Sequence, residues 1–166
     1  MICPIPENES SRLDALRSLN ILDTTPDLRF ELATRFLARE VKVPMVLVTL
    51  IDADRQWFKA AFGVDEKQMP REISICAHAI CEITSVNPIE RIYEVSDLKM
   101  DLRFFKNPLV TNAPNSRSYI SYILQSECNK NIGTLCLVDV KPRIFLPKER
   151  GLIMNVGTLV NKLITG

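Results

Sequence analysis

Cys76 and His78 are the first residues whose types and spacing could do chemistry, since His78 is the single histidine of the chain. A thiol becomes a nucleophile when a neighbouring base or positive field favours its thiolate. Both lie in a stretch where Cys76, Ala79, Ile80 and Ile83 recur at helical spacing after Ser74, a good N-cap. Residues two apart on a helix point to nearly opposite sides, so thiol and imidazole do not meet. Cys76 then reads as a small apolar residue of a packed helix, and no catalytic residue is assigned. Cys76, His78 and Cys81 also spell C-x-H-x-x-C. That is not a zinc spacing, no second ligand pair follows, and Cys128 and Cys136 would have to fold over to help, so no metal is expected.

Asp97, Asp101 and Arg103 form a second polar group. Asp97 follows a predicted strand, where it can cap the next turn. Asp101 and Arg103 are two apart and could reach different partners. Their roles are either ligand contact or structure: Asp97 holding its loop, and Arg103 pairing with a carboxylate at a sheet edge. Of Phe104 and Phe105, one ring is expected in the core and one at a pocket lid. Trp57, the single tryptophan, needs a partner for its N–H if buried.

These residues need elements to position them. Met45 to Ile51 is almost unbroken apolar and β-branched, as a strand buried on both faces reads. Asp52 to Arg55 is a polar turn, and Gln56 to Phe62 alternates. Strict alternation sends Trp57, Lys59 and Ala61 one way and Phe58, Ala60 and Phe62 the other. Gly63 ends the strand with a residue free to take positive φ. This hairpin is expected at the centre of one sheet.

Before it, residues 1–9 read as irregular. Two helices follow, one from about Ser10 with Leu13, Leu16 and Leu19, and one starting at Thr24-Thr25-Pro26-Asp27, a hydroxyl cap, a proline and a first-turn acid, and running to about Glu40 with Phe30, Ala33, Leu37 and Val41. After the hairpin come a charged loop to Glu72, a helix to about Ile83 and a strand from Arg91 to Val95. A helical or irregular stretch then runs to Pro108, which stops it. Tyr119 to Gln125 and Ile132 to Val138 are strands, and Pro147 opens a last helix with Leu152, Ile153, Val156, Leu159, Val160 and Leu163 on one stripe. Helices at both ends around a mostly antiparallel sheet predict an α+β fold.

The chain has 166 residues, 46% of them hydrophobic, which suits one domain over 1–166 with a sizeable core. A net charge of +1 gives no footprint for nucleic acid or an anionic membrane. No apolar run is long enough to cross a bilayer, and MICPIPENESSR is not a signal peptide. Five scattered cysteines without an export signal read as free thiols in a reducing cytoplasm.

The stretches NESSRLDALRSLNILDTTPDLRF (8–30), VPMVLVTLIDADRQWFKAAFG (43–63), PREISICAHAI (70–80), VSDLKMDLRFFKNPLV (95–110) and GTLCLVDVKPR (133–143) together resemble a GAF domain of the bacterial signalling kind. The resemblance covers nearly the whole chain. It implies a central antiparallel sheet of about five or six strands, terminal helices on one face, and middle helices and loops enclosing a pocket on the other. It also implies a C-terminal output domain in cis, often a diguanylate cyclase or histidine kinase, with this chain alone or as the N-terminal part of a longer protein. Relatives carry Arg-Phe-Tyr-Ala-Gly-x-Pro-Leu on the fourth strand, where residues 117–124 have Ser121 and Ile123 in place of Gly and Pro. Bilin-binding relatives have Cys directly followed by His, whereas Ala77 separates the two here. Asn129-Lys130-Asn131-Ile132 starts like the cyclic-nucleotide signature and then departs from it.

The resemblance implies a regulatory domain that senses a small molecule, not itself an enzyme, with its cofactor unknown. Its pocket is expected between the sheet and residues 70–110. The residues expected to line it are Trp57, Phe58, Cys76, His78, Asp97, Asp101, Arg103, Phe104, Tyr119 and Cys136. The signal would leave through the terminal helices as a population shift. Partners would be the ligand, a second copy meeting through the terminal helices, and the output domain, with no nucleic acid and no membrane. One alternative is a ligand-free dimerisation module, split by charges at Val156 or Val160. Another is a thiol enzyme related to the free methionine sulfoxide reductases, although their pocket cysteines do not map onto this chain.

Overall fold

Strand β1 (Met45–Ile51) has no residue facing water, and the architecture follows from covering it twice. The computed structural model describes residues 3–166, so Met1 and Ile2 of the irregular start lie outside the described residues. The other elements are helices α1 (Glu9–Ser18), α2 (Leu28–Val41), α3 (Ile75–Glu82), α4 (Pro108–Thr111) and α5 (Pro147–Thr165). The remaining strands are β2 (Arg55–Phe62), β3 (Gln68–Pro70), β4 (Ile92–Val95), β5 (Ser118–Gln125) and β6 (Asn131–Asp139). The six strands form one antiparallel sheet in the order β3-β2-β1-β6-β5-β4, an α+β fold as expected. Its centre is the β1–β6 pair, with the β1–β2 hairpin as one half. β3, inside the expected charged loop, is too short to show a period.

One face of the sheet packs against the terminal helices. Leu16 of α1, Phe30, Leu37 and Val41 of α2, and Ile153, Val156, Val160 and Ile164 of α5 meet Val46, Val48, Leu50, Trp57, Tyr122 and Leu135. The opposite face carries Leu47, Ile51, Phe58, Tyr119, Ile123, Cys136 and Val138, covered by α3 and the segment holding Leu98 and Phe104.

Three local expectations need correction. Alternation along β2 breaks at Lys59, because Val48 pairs with Ala60 while Thr49 pairs with Phe58. This β-bulge puts Trp57 and Ala60 in one core and Phe58 and Ala61 at the other. Helix α2 is capped by Asp27, whose carboxylate accepts from the Arg29 N–H at 3.0 Å, not by the threonine hydroxyls. Pro108 opens α4 instead of ending a helix, since its missing N–H costs nothing in a first turn capped by Asn107. Two other sequence signals hold: Ala53 N–H donates to Asp52 Oδ1 at 2.8 Å in the hairpin turn, and Gly63 has φ 77°.

Charge anchors α1. Arg12 is fully buried; its Nη1 donates to the Ile51 carbonyl at 2.7 Å, and its Nε and Nη2 both reach the Glu9 carboxylate at 2.9 Å. Arg71, also buried, donates to the same carboxylate and to the Asp52 carbonyl. Burial pushes the Glu9 carboxyl up, but hydrogen bonds and charge from the two arginines outweigh it and hold it at about 2, below its ordinary 4.5. A depressed carboxyl stabilises the fold above its unfolded value, and that stability is lost as pH falls through the folded value. At pH 7, Glu9→Gln should therefore unfold at a lower temperature than the native chain. In thermal melts the gap should close between about pH 4.5 and about pH 2. A gap of constant size across that window would remove Glu9 as the anchor.

Candidate functional site

A cavity of about 520 Å³ opens on the face away from the terminal helices, within the size range of small-molecule sites. Its walls come from the sheet and from the segment that crosses it. β1 gives Met45 and Leu47, β2 gives Phe58, β6 gives Cys136 and Val138, and β5 gives Tyr119. Met69, Ile73, Ile75 and Leu109 close the other sides. The lining residues Gly63, Asp65, Glu66, Gln68, Ala113 and Pro114 are exposed and mark the mouth. Among the described residues, no lysine or arginine lines the cavity, and the charged lining residues are the acids Asp65 and Glu66.

At its inner end Gln56, Cys76 and Tyr119 are buried and join a polar network behind the lining. Cys76 is in the first turn of α3, which begins after Ser74, whose hydroxyl accepts from the Ala77 N–H at 2.9 Å. Its sulfur accepts from the Tyr119 hydroxyl at 3.0 Å, the Thr134 hydroxyl at 3.2 Å and the Gln56 amide at 3.4 Å. Gln56 is itself held by a hydrogen bond from the Ser74 hydroxyl. Thr134 also meets Thr49 across the β1–β6 pair at 3.3 Å. Burial pushes the Cys76 thiol up, and hydrogen bonds from Cys136, Thr134, Tyr119 and Thr49 pull it the other way, leaving it below the ordinary thiol value. Cys136 is held up by its hydrogen bond with Cys76 and by burial, and Tyr119 by burial and the nearby thiols.

Of the ten residues expected to line a pocket, Phe58, Cys76, Tyr119 and Cys136 line this cavity. The other six stand elsewhere. Trp57 packs in the core under the terminal helices, because it neighbours Phe58 on a strand. His78 is buried on the other side of α3, edge-on to Phe104 at 4.7 Å, and burial pushes its imidazole down. Phe104 is wholly core, while Phe105 is exposed. Asp97 caps the turn Leu98–Met100 and binds Arg117 through both oxygens at 2.9 Å. Asp101 and Arg103 pair with each other, and Arg103 also grips Glu82 at 2.6 and 2.7 Å. The cavity thus lies nearer residues 63–76 and 109–116 than the whole of 70–110. Ser121 and Ile123 are fully buried in β5 and do not line it. Gln56, Met69 and Leu109 were not expected there. A lone glutamine inside an apolar strand was the available signal for the first; the other two sit in irregular chain with no periodicity to read. Among the described residues, no group of three or more His, Cys, Asp or Glu stands close enough to hold a metal ion, and no helix is long and apolar enough to cross a membrane.

No family model matches the chain. It is 35% identical over 140 residues to a cyclic di-GMP phosphodiesterase of Pseudomonas aeruginosa, a match spanning 84% of this chain and 23% of that protein. Among solved structures, it is similar to the type II free methionine-R-sulfoxide reductase of Thermoplasma acidophilum, with a TM-score of 0.64 and 14% identity over 91% of this chain and 95% of the other. It is also similar to the GAF domain of an Acinetobacter phosphoenolpyruvate-protein phosphotransferase, with a TM-score of 0.61 and 16% identity over 93% and 92% of the two chains.

The donors around Cys76 stabilise its thiolate, so Tyr119→Phe should make this thiol less acidic. In peptide-resolved alkylation by iodoacetamide across pH, native Cys76 should begin to react at lower pH than Cys136, and Tyr119→Phe should move the Cys76 profile upward. Coincident profiles for native and variant chains would show that the hydroxyl does not tune the thiol.

Proposed function

The chain has the GAF fold, and from that premise we propose that it is a regulatory small-molecule-sensing domain of a signal transduction protein. It would act on an output domain in cis and carry no catalysis of its own. The observation that supports this reading is the cavity, with apolar walls on three sides, a small hydrogen-bonding inner wall and no cation. Such a lining suits an uncharged, largely apolar ligand with one polar group. An anionic ligand would lose its water with no positive partner to replace it. That argues against cyclic di-GMP as the ligand, although the 35% identical relative is named a phosphodiesterase of that nucleotide. The match spans under a quarter of that protein, in keeping with a sensing module beside a separate output. The ligand would favour one packing of the sheet against the terminal helices, and those helices would carry the change onward.

Native mass spectrometry with an absorption spectrum on the freshly purified chain tests for a co-purified small molecule. A thermal-shift screen then compares neutral compounds, indole among them, with cyclic di-GMP. The expected result is stabilisation by neutral compounds, lost in Met69→Trp, which fills the cavity, and kept in Trp57→Phe on the opposite face. Stabilisation by cyclic di-GMP, or stabilisation that survives Met69→Trp, would overturn the assignment.

A second reading, a dimer through the terminal helices, draws on the outward side of those helices. Leu28, Leu32 and Phe36 stand exposed along α2 at intervals of four residues, and Leu159 is 61% exposed on α5. Val156 and Val160, the positions first suggested for charge insertion, are buried against the sheet, so charges there would unfold the chain instead of splitting a dimer. The suitable variants are Leu32→Glu and Leu159→Glu. Analytical ultracentrifugation should show a concentration-dependent dimer of the native chain that both variants dissociate; a native monomer at every concentration would end this reading.

A further inference from the structure

Two of the five thiols share the cavity wall, on different elements, and nothing in the sensing reading uses them. Cys76 is in the first turn of α3; Cys136 is on β6, the central strand facing it. The Thr134 hydroxyl is 3.2 Å from the Cys76 sulfur, and Cys136 follows two residues later on the same face of β6. Cys76 and Cys136 belong to the same buried cluster on this face of the sheet. Both are buried from bulk water, 2% exposed each, yet both line the cavity that opens at residues 63–68 and 113–114. The cavity therefore gives a small molecule a route to them.

The surroundings of Cys76 differ from those of a packing cysteine. A thiol sulfur is a weak acceptor, and an inert buried cysteine ordinarily sits among carbon atoms. Here three donors converge on one sulfur: Tyr119, Thr134 and Gln56. Donors aimed at sulfur stabilise its charged form, as does a position in the first turn of a helix. Gln56 could have turned its amide elsewhere, but the Ser74 hydroxyl donates to its oxygen and fixes the amide group toward the sulfur.

We propose that Cys76 and Cys136 form a peroxide-reactive pair, in which a small peroxide entering the cavity is reduced and the two cysteines become joined by a disulfide. The Cys76 thiolate attacks one peroxide oxygen, the O–O bond breaks, and the released oxygen takes a proton and leaves as water or an alcohol. Cys76 is then a sulfenic acid. The Cys136 sulfur attacks that sulfur, the S–O bond breaks, and the hydroxyl leaves with the Cys136 proton as water. Two thiols have lost two electrons and two hydrogens, and one peroxide has been reduced by two electrons. The product ties α3 to the central strand and removes a thiol hydrogen-bonding group from the cavity wall. The proposal shares its cavity with the ligand-binding reading but needs no ligand, so each is tested without the other.

The test starts from a chain with Cys3, Cys81 and Cys128 replaced by serine, exposed to hydrogen peroxide and weighed intact. The expected change is a loss of two hydrogens, with proteolysis giving one peptide pair linked through residues 76 and 136. On the same background, Cys136→Ser should stop at a gain of one oxygen, captured by dimedone at residue 76, and Cys76→Ser should keep its mass. If the triple variant does not fold, the native chain is treated, its free thiols are alkylated and its peptides are mapped for the same link. Cysteines 76 and 136 left as thiols in a folded triple variant, or in the native chain while the exposed Cys128 is oxidised, would overturn the proposal. So would oxygen added independently to both of them.

Discussion

The structure depends on one sheet that buries both its faces. Every residue of β1 and β5 is buried, and so are eight of the nine in β6. Strands without a solvent side need two covers, and the chain supplies one from its ends and one from its middle. The central pair is also close-packed. A Cβ on Gly133 would sit 2.0 Å from the Thr49 carbonyl oxygen, so β6 passes β1 where no side chain fits. The hydrophobic stabilisation of so many fully buried aliphatic side chains, about 1.5–3 kcal/mol each before entropy is counted, is what holds the two covers on.

The two covers differ in length, and that difference makes the cavity. α2 and α5 have fourteen and nineteen residues and lie along the sheet, filling their side with Phe30, Leu37, Ile153 and Val160. On the other side the longest helix is α3, with eight residues. At about 1.5 Å per residue it spans roughly 12 Å. Six strands about 4.8 Å apart span roughly 24 Å between the outermost two. The remainder is covered by turns and the four-residue α4, which cannot pack a continuous ridge. The space left lies beside Met45, Leu47 and Phe58, where the helix does not reach.

Long periodic signals were legible in the sequence. The doubly buried β1, the stripe of α2, that of α5 except for the exposed Leu159, the Ser74 cap and the α+β class are all present. The site was legible only where it sits on such elements, as Phe58, Cys76, Tyr119 and Cys136 do. Trp57 shows why the rest was not. In a strand buried on both faces, one neighbour enters the cavity and the next enters the opposite core, and composition does not say which. The bulge at Lys59 then resets the alternation beyond it, and no residue type announces it. Asp97, Asp101 and Arg103 mislead for a different reason. A polar cluster in a loop reads alike whether its charges face a ligand or one another, and here they satisfy one another. Arg12 misleads in the opposite direction, as an arginine in a helical pattern that proves to be wholly buried, held by carbonyls from two strands.

The polar inner wall of the cavity is the part of the structure that the fold does not demand. Gln56 and Tyr119 line it, Thr49, Thr134 and Ser74 stand behind them, and all five are less than one-tenth exposed. Valine, leucine, alanine and phenylalanine would occupy nearly the same volumes. They would avoid the desolvation that each hydroxyl and amide carries, and a satisfied hydrogen bond returns only about 1 kcal/mol. A network of this kind must satisfy nearly all its members or it destabilises the core. This one does so by converging on sulfur, the weakest acceptor present. The same donors would be satisfied as well by a carbonyl or hydroxyl of a bound molecule, or by an oxidised sulfur. Such an arrangement adds little to stability and places several weak, adjustable hydrogen bonds at the inner end of an apolar cavity.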